Sequence, residues 1–185
     1  MNTKLFIVAL FTLLAFTFSN AQSQEQDKKL IEAAKIGDVG GVTTWIKEGA
    51  NVNAKDVFGN TALLCALQSG NIPCVDFLLT KGADVNSISV YGYTPLIYSA
   101  SNGYTNIVRV LIENKAEINA KDTYGMTSLM MAVYNGHIEI ARILINKGAD
   151  VSAKNNAGMS IMDIAKYKGQ PEILTVLKEA GVKDY

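Results

Sequence analysis

The sequence predicts an all-α repeat, a solenoid of stacked helix-turn-helix units. Three observations carry that prediction. Asp122 to Lys154 falls on Ser89 to Lys121, and that stretch on Asp56 to Ile88, when the register is shifted by thirty-three residues. Self-similarity at a period of that length is the signature of a stacked repeat protein. Glycines recur in register, and between them apolar residues recur at helical spacing, as at Ile107, Val108, Val110, Leu111 and Ile112. One such helix pair cannot bury its apolar face alone, whereas stacked neighbours share a core.

The glycines fall in three columns. Gly59, Gly92, Gly125 and Gly158 precede a first helix; Gly37, Gly70, Gly103, Gly136 and Gly169 follow it. Gly49, Gly82, Gly148 and Gly181 close the second helix, where the chain needs a positive φ. Lys115 interrupts that last column, which predicts a strained cap costing about 1 kcal/mol. Thr61, Thr94, Thr127 and Ser160 stand where a hydroxyl can accept from a backbone N–H and cap the first helix. Pro95 suits the position after the cap, where no N–H is needed.

The unit resembles the ankyrin repeat. Tyr93-Thr94-Pro95-Leu96 keeps the Thr-Pro-Leu opening, and Lys81-Gly82-Ala83-Asp84-Val85-Asn86 keeps the closing motif. The resemblance implies hairpin loops between helix pairs and about five repeats including degenerate caps, near 28–55, 56–88, 89–121, 122–154 and 155–185. Together they form one repeat domain, 28–185. It also implies a concave surface of hairpin tips and first helices that docks protein partners. Asp163 departs from the pattern by standing where many ankyrin repeats have histidine.

Residues 1–21 read differently. Lys4 is followed by an uncharged apolar run, Leu5 to Phe18, and then by Ser19-Asn20-Ala21. That is the layout of a secretory signal peptide cleaved after Ala21. The rival is a membrane anchor, but fourteen apolar residues fall short of the ~20 that span a bilayer. The expected mature chain is exported, periplasmic or secreted, with no membrane attachment. Residues 22–27 read as a flexible lead-in. In the first repeat Leu30, Ile31, Ala33, Ala34 and Ile36 form one apolar face, and Val42, Trp45 and Ile46 the next, with Trp45 expected in the core. Lysines and glutamates wet the outer faces of the terminal repeats, Lys183 among them, as terminal repeats require.

Composition excludes some classes of function. The chain has 17 basic and 17 acidic residues, so it lacks the basic footprint of a nucleic-acid-binding protein. The single histidine, His137, follows a helix-ending glycine, where a structural role outweighs a catalytic one. One histidine and two cysteines outside a CxxC offer no zinc set. No Gly-rich phosphate loop is present, and Asp84, Glu117 and Asp150 recur as part of the repeat. No catalytic residue, metal or cofactor is expected. Cys65 and Cys74 are a candidate disulfide in an exported chain. The alternative is a pair of buried free thiols, since Cys74 shares the apolar column of Ile107 and Ile140.

Binding is expected at the hairpin tips. Phe58, Tyr91 and Tyr124 occupy equivalent places before the first glycine column, with Tyr93 and Met126 just past it. Lys55, Lys121 and Lys154 form a parallel basic row, in which Ile88 replaces lysine. Aromatics are enriched in interface hot spots; the alternative is that these rings only pack against neighbouring hairpins. Tyr98, Tyr104, Tyr134 and Asn135 extend the surface onto the first helices. The functional expectation is a non-catalytic module, monomeric in isolation, that binds a protein partner as an accessory or inhibitory factor for an envelope protein. A structural or self-associating module is the alternative.

Overall fold

A computed structural model describes the backbone of residues 3–182, with side chains from residue 20 onward. Its described residues form ten α-helices paired in chain order. The chain divides into two compact units, Met1–Val57 with Thr61–Ala83, and Phe58–Asn60 with Asp84–Tyr185. The sequence drew one domain. In a repeat array each unit touches only its neighbours, so local groupings of this kind arise naturally. Among the described residues no helix is long and apolar enough to cross a membrane.

The first unit holds α1 (Thr3–Ile36), α2 (Val39–Lys47), α3 (Ala62–Gln68) and α4 (Ile72–Thr80). No glycine or proline interrupts α1, which therefore runs through the expected lead-in 22–27. That lead-in is no linker: Gln26 Nε2 donates to Glu48 O at 2.8 Å, and Asn51 N donates to Asp27 Oδ1 at 2.6 Å. The side chains of Leu5–Phe18, and Lys183, lie outside the described residues. Leu30, Ala34, Leu63, Leu64, Leu67 and Leu78 are fully buried, each large side chain contributing about 1.5–3 kcal/mol. Two expectations fail at the margin. Ile36 is exposed because it ends α1 just before the Gly37 turn. Trp45 is only half-buried, with Lys29 Nζ 4.8 Å from its ring centroid, because the α1 residues beside it, Gln22, Glu25, Gln26 and Lys29, are polar and leave space around it.

The second unit holds α5 (Pro95–Asn102), α6 (Thr105–Glu113), α7 (Ser128–Tyr134), α8 (Ile138–Asn146), α9 (Ile161–Tyr167) and α10 (Pro171–Glu179). First helices α5, α7 and α9 pack in one row and second helices α6, α8 and α10 in another. Leu96, Ile97, Leu111, Leu129, Ile140 and Leu144 fill the space between them. The predicted caps are made: Thr94, Thr127 and Ser160 hydroxyls accept from the N–H groups of Ile97, Met130 and Asp163, each at 3.2 Å. Asp163 completes a capping box by accepting from Ser160 N at 2.8 Å. That explains why a carboxylate works where the family has histidine. Lys115 holds φ +65°, alone among the described non-glycine residues.

Candidate interaction surface

Two hairpins of the second unit close through an antiparallel bridge, Lys121 to Thr127 and Lys154 to Ser160. A short polar side chain then shapes the tip from within. Asp122 Oδ1 accepts from both Tyr124 N and Met126 N at 2.8 Å. Asn155 Oδ1 does the same for Ala157 N and Met159 N at 3.0 Å. This is the local bonding by which Asp and Asn favour turns.

Successive tips are then stitched together through the backbone. Val90 N donates to Phe58 O at 2.9 Å, Thr123 N to Tyr91 O at 3.0 Å, and Asn156 N to Tyr124 O at 2.9 Å. The carbonyls of the three predicted aromatics are thus the acceptors that set tip-to-tip register. The glycines after Tyr91 and Tyr124 are required by this closeness. A Cβ on Gly92 would stand 2.7 Å from Asp122 Cα and 2.8 Å from Thr123 N.

Three side chains emerge from this ladder. Phe58, Tyr91 and Tyr124 are 52%, 55% and 68% exposed, all in the second unit. Tyr93 and Met126 are half-buried and belong to the packing beneath. The Tyr93 ring lies 5.2 Å from that of Tyr98 on α5, and Met126 Sδ accepts from Asn155 Nδ2 at 3.5 Å. Burial first, then the Asp122 charge, pushes the Tyr93 phenol above its ordinary range. Lys121 and Lys154 are exposed beside the ladder, with Lys121 Nζ donating to Lys154 O at 3.1 Å. Lys55 is exposed on the first unit, where the neighbouring Asp56 pairs with Lys35 at 3.5 Å. Tyr134 and Asn135 are exposed at the end of α7, and Lys168 Nζ lies 4.1 Å from the Tyr134 ring centroid. Tyr104 is half-buried at the start of α6.

The sequence reading missed Val90, which is 56% exposed next to Tyr91. A branched apolar residue at a loop tip, with no helix to pack under, was the available signal.

The remaining candidates are structural. His137 Nε2 lies 3.1 Å from Ser101 O, and its ring packs where a Cβ on Gly103 would be. In the first unit Asn71 plays the same part, donating to Gly37 O at 2.9 Å while its Oδ1 caps α4. Cys65 and Cys74 are fully buried free thiols. Burial, the main cause, pushes the Cys65 thiol up to about 11 and raises Cys74 as well, so neither is a ready nucleophile. No group of three or more His, Cys, Asp or Glu among the described residues could hold a metal ion.

Residues 30–122 match the family model described as ankyrin repeats (3 copies), and residues 111–165 match a second, ankyrin repeats (many copies). No curated protein matches the chain. Stitched hairpins, capped helix pairs and a family match spanning half of the sequence lead to one conclusion: the chain belongs to the ankyrin-repeat family, whose members are generally protein–protein interaction modules.

Proposed function

We propose that this protein is exported, without catalytic activity of its own, and docks a protein partner through the edge formed by Phe58, Tyr91 and Tyr124. The observation that carries the proposal is the exposure of all three rings on a backbone ladder that joins successive tips. Rings that served only to pack the hairpins would be covered further, as half-buried Tyr93 is. Presented instead on a stitched, preorganised edge, they offer large contact area at small entropic cost. Export rests on Lys4, the apolar run to Phe18 and Ser19-Asn20-Ala21, and places the protein in the periplasm or outside the cell. In that setting it acts as an accessory or inhibitory factor for an envelope protein.

Affinity capture from the exported fraction of the source cells tests the reading. The chain from Gln22 onward is the bait, beside a Phe58→Ala, Tyr91→Ala, Tyr124→Ala variant. A protein held by the first and lost by the second is the expected result. Equal retention by both would move the site away from the tips. Retention by neither, with size rising with concentration on gel filtration, would favour self-association.

A further inference from the structure

Cleavage after Ala21 would make Gln22 the first residue of the mature chain. Of the side-chain amides, only that of glutamine has its carbonyl carbon where the free α-amine of the same residue can close a five-membered ring on it. Ala21 and Gln22 are both exposed. Once the bond between them is cut, the Gln22 nitrogen is the first of α1, and the first four N–H groups of a helix have no intrahelical acceptor. The new amine is therefore not held in a helical hydrogen bond, and its own side chain lies beside it at the surface.

We propose that the exported chain carries pyroglutamate at position 22, and that this ring seals the start of α1. The Gln22 α-nitrogen attacks its own Cδ, so an N–Cδ bond forms and the Cδ–Nε2 bond breaks. Nε2 takes the proton that the amine gives up and leaves as ammonia. Nothing is oxidised or reduced, and no co-reactant is consumed. The proposal rests on the export reading above and adds the chemical state of the mature N-terminus.

Sealing matters because this end of α1 belongs to the fold. Gln26 Nε2 donates to Glu48 O at 2.8 Å, and Asp27 Oδ1 accepts from Asn51 N at 2.6 Å. Gln22, Glu25 and Gln26 also border the space beside Trp45, together with Lys29 and Glu48. An exopeptidase that removed residues 22–27 would strip both hydrogen bonds and bare the Trp45 ring. The lactam has no primary amine for such an enzyme to recognise. It also removes a positive charge from the N-terminal end of a helix, where the macrodipole disfavours one.

The test is the intact mass of the chain purified from the exported fraction of the source cells. Expected is the mass of residues 22–185 less one ammonia, and loss of residue 22 to pyroglutamyl peptidase after denaturation. Residues 22–185 at full mass would overturn the pyroglutamate proposal and leave export standing. So would a cleaved chain that starts elsewhere, or one that has lost ammonia but resists the enzyme. A chain that keeps residues 1–21 would overturn the export reading and this proposal together. The sealing role is read separately on Gln22→Ser, which cannot cyclise. Aminopeptidase should shorten the mature variant from its N-terminus and leave the parent intact; equal survival of both would overturn the protective role.

Discussion

Lys115 offers the cleanest test of how this chain uses its backbone. It holds φ +65° at the end of α6, where the equivalent residues Gly49, Gly82, Gly148 and Gly181 hold φ between +77° and +95°. A non-glycine residue in the left-handed region costs about 1–2 kcal/mol. Substitution by glycine removes that strain but loosens the unfolded chain, which takes back about 0.4–1 kcal/mol. Lys115→Gly should therefore stabilise the protein by roughly 0.5–1 kcal/mol, or about 1–4 °C in Tm for a chain of this size. The Lys115 side chain is exposed and its carbonyl, which accepts from Asn86 Nδ2 at 3.3 Å, is retained. The reciprocal variant is Gly148→Lys. A Cβ there meets nothing within 4 Å, so the substitution imposes backbone strain without collision and should cost what Lys115→Gly gains. Both are measured by urea unfolding followed by circular dichroism. If Lys115→Gly has no effect while Gly148→Lys is harmless, φ strain is not what selects glycine in this column.

Further outcomes follow from the same coordinates. Gly92→Ala should destabilise by about 2–4 kcal/mol, adding collision with the next tip to φ strain, whereas Gly158→Ala, with open space at its Cβ, should cost only about 1 kcal/mol; equal losses on urea unfolding would contradict the stitched-tip account. Ser128 Oγ is buried without a hydrogen-bond partner, so Ser128→Ala should gain up to about 1 kcal/mol, and a lowered Tm would refute it. The Ser160 hydroxyl, then its N–H, holds the Asp163 carboxyl below its ordinary 3.8. A depressed folded value stabilises above the unfolded pKa and is lost as pH falls through the folded one, so Ser160→Ala should flatten the acid end of a Tm–pH profile. Cys65 and Cys74 should react with a disulfide reagent at pH 8 only after denaturation; absence of any thiol after denaturation would reveal a bridge.

The helix pairs were legible because each repeat states them again. Thr94, Thr127 and Ser160 cap helices for one physical reason, and the same reason recurs one period later. Lys115 could be read as strained from the column it interrupts. What escaped was set by position in the stack or by geometry across it. Trp45 shares the column of buried leucines, yet the α1 residues beside it are polar and leave it half-buried. Residues 22–27 look like a linker by composition, and only Gln26 and Asp27 reaching Glu48 and Asn51 show that they belong to the first repeat. Tyr91 and Tyr93 are adjacent to the same glycine, but only coordinates separate the exposed ring from the packed one.

The contrast between these two tyrosines separates what the tips need for folding from what they leave open. The backbone amides that shape and join the second unit's tips are bonded by groups that do not depend on the exposed side chain. The tip amides are held by Asp122 or Asn155, and register is held by the carbonyls of Phe58, Tyr91 and Tyr124, which any residue supplies. These bonds therefore do not fix the identity of the side chain at the aromatic position. Position 157, the equivalent place in the last repeat, carries alanine with the same turn bonding. A loop tip without such constraint has no folding reason to hold a large ring half in water, where exposed apolar area contributes nothing to the core. Three aromatics in register at such positions are the basis of the docking edge proposed above.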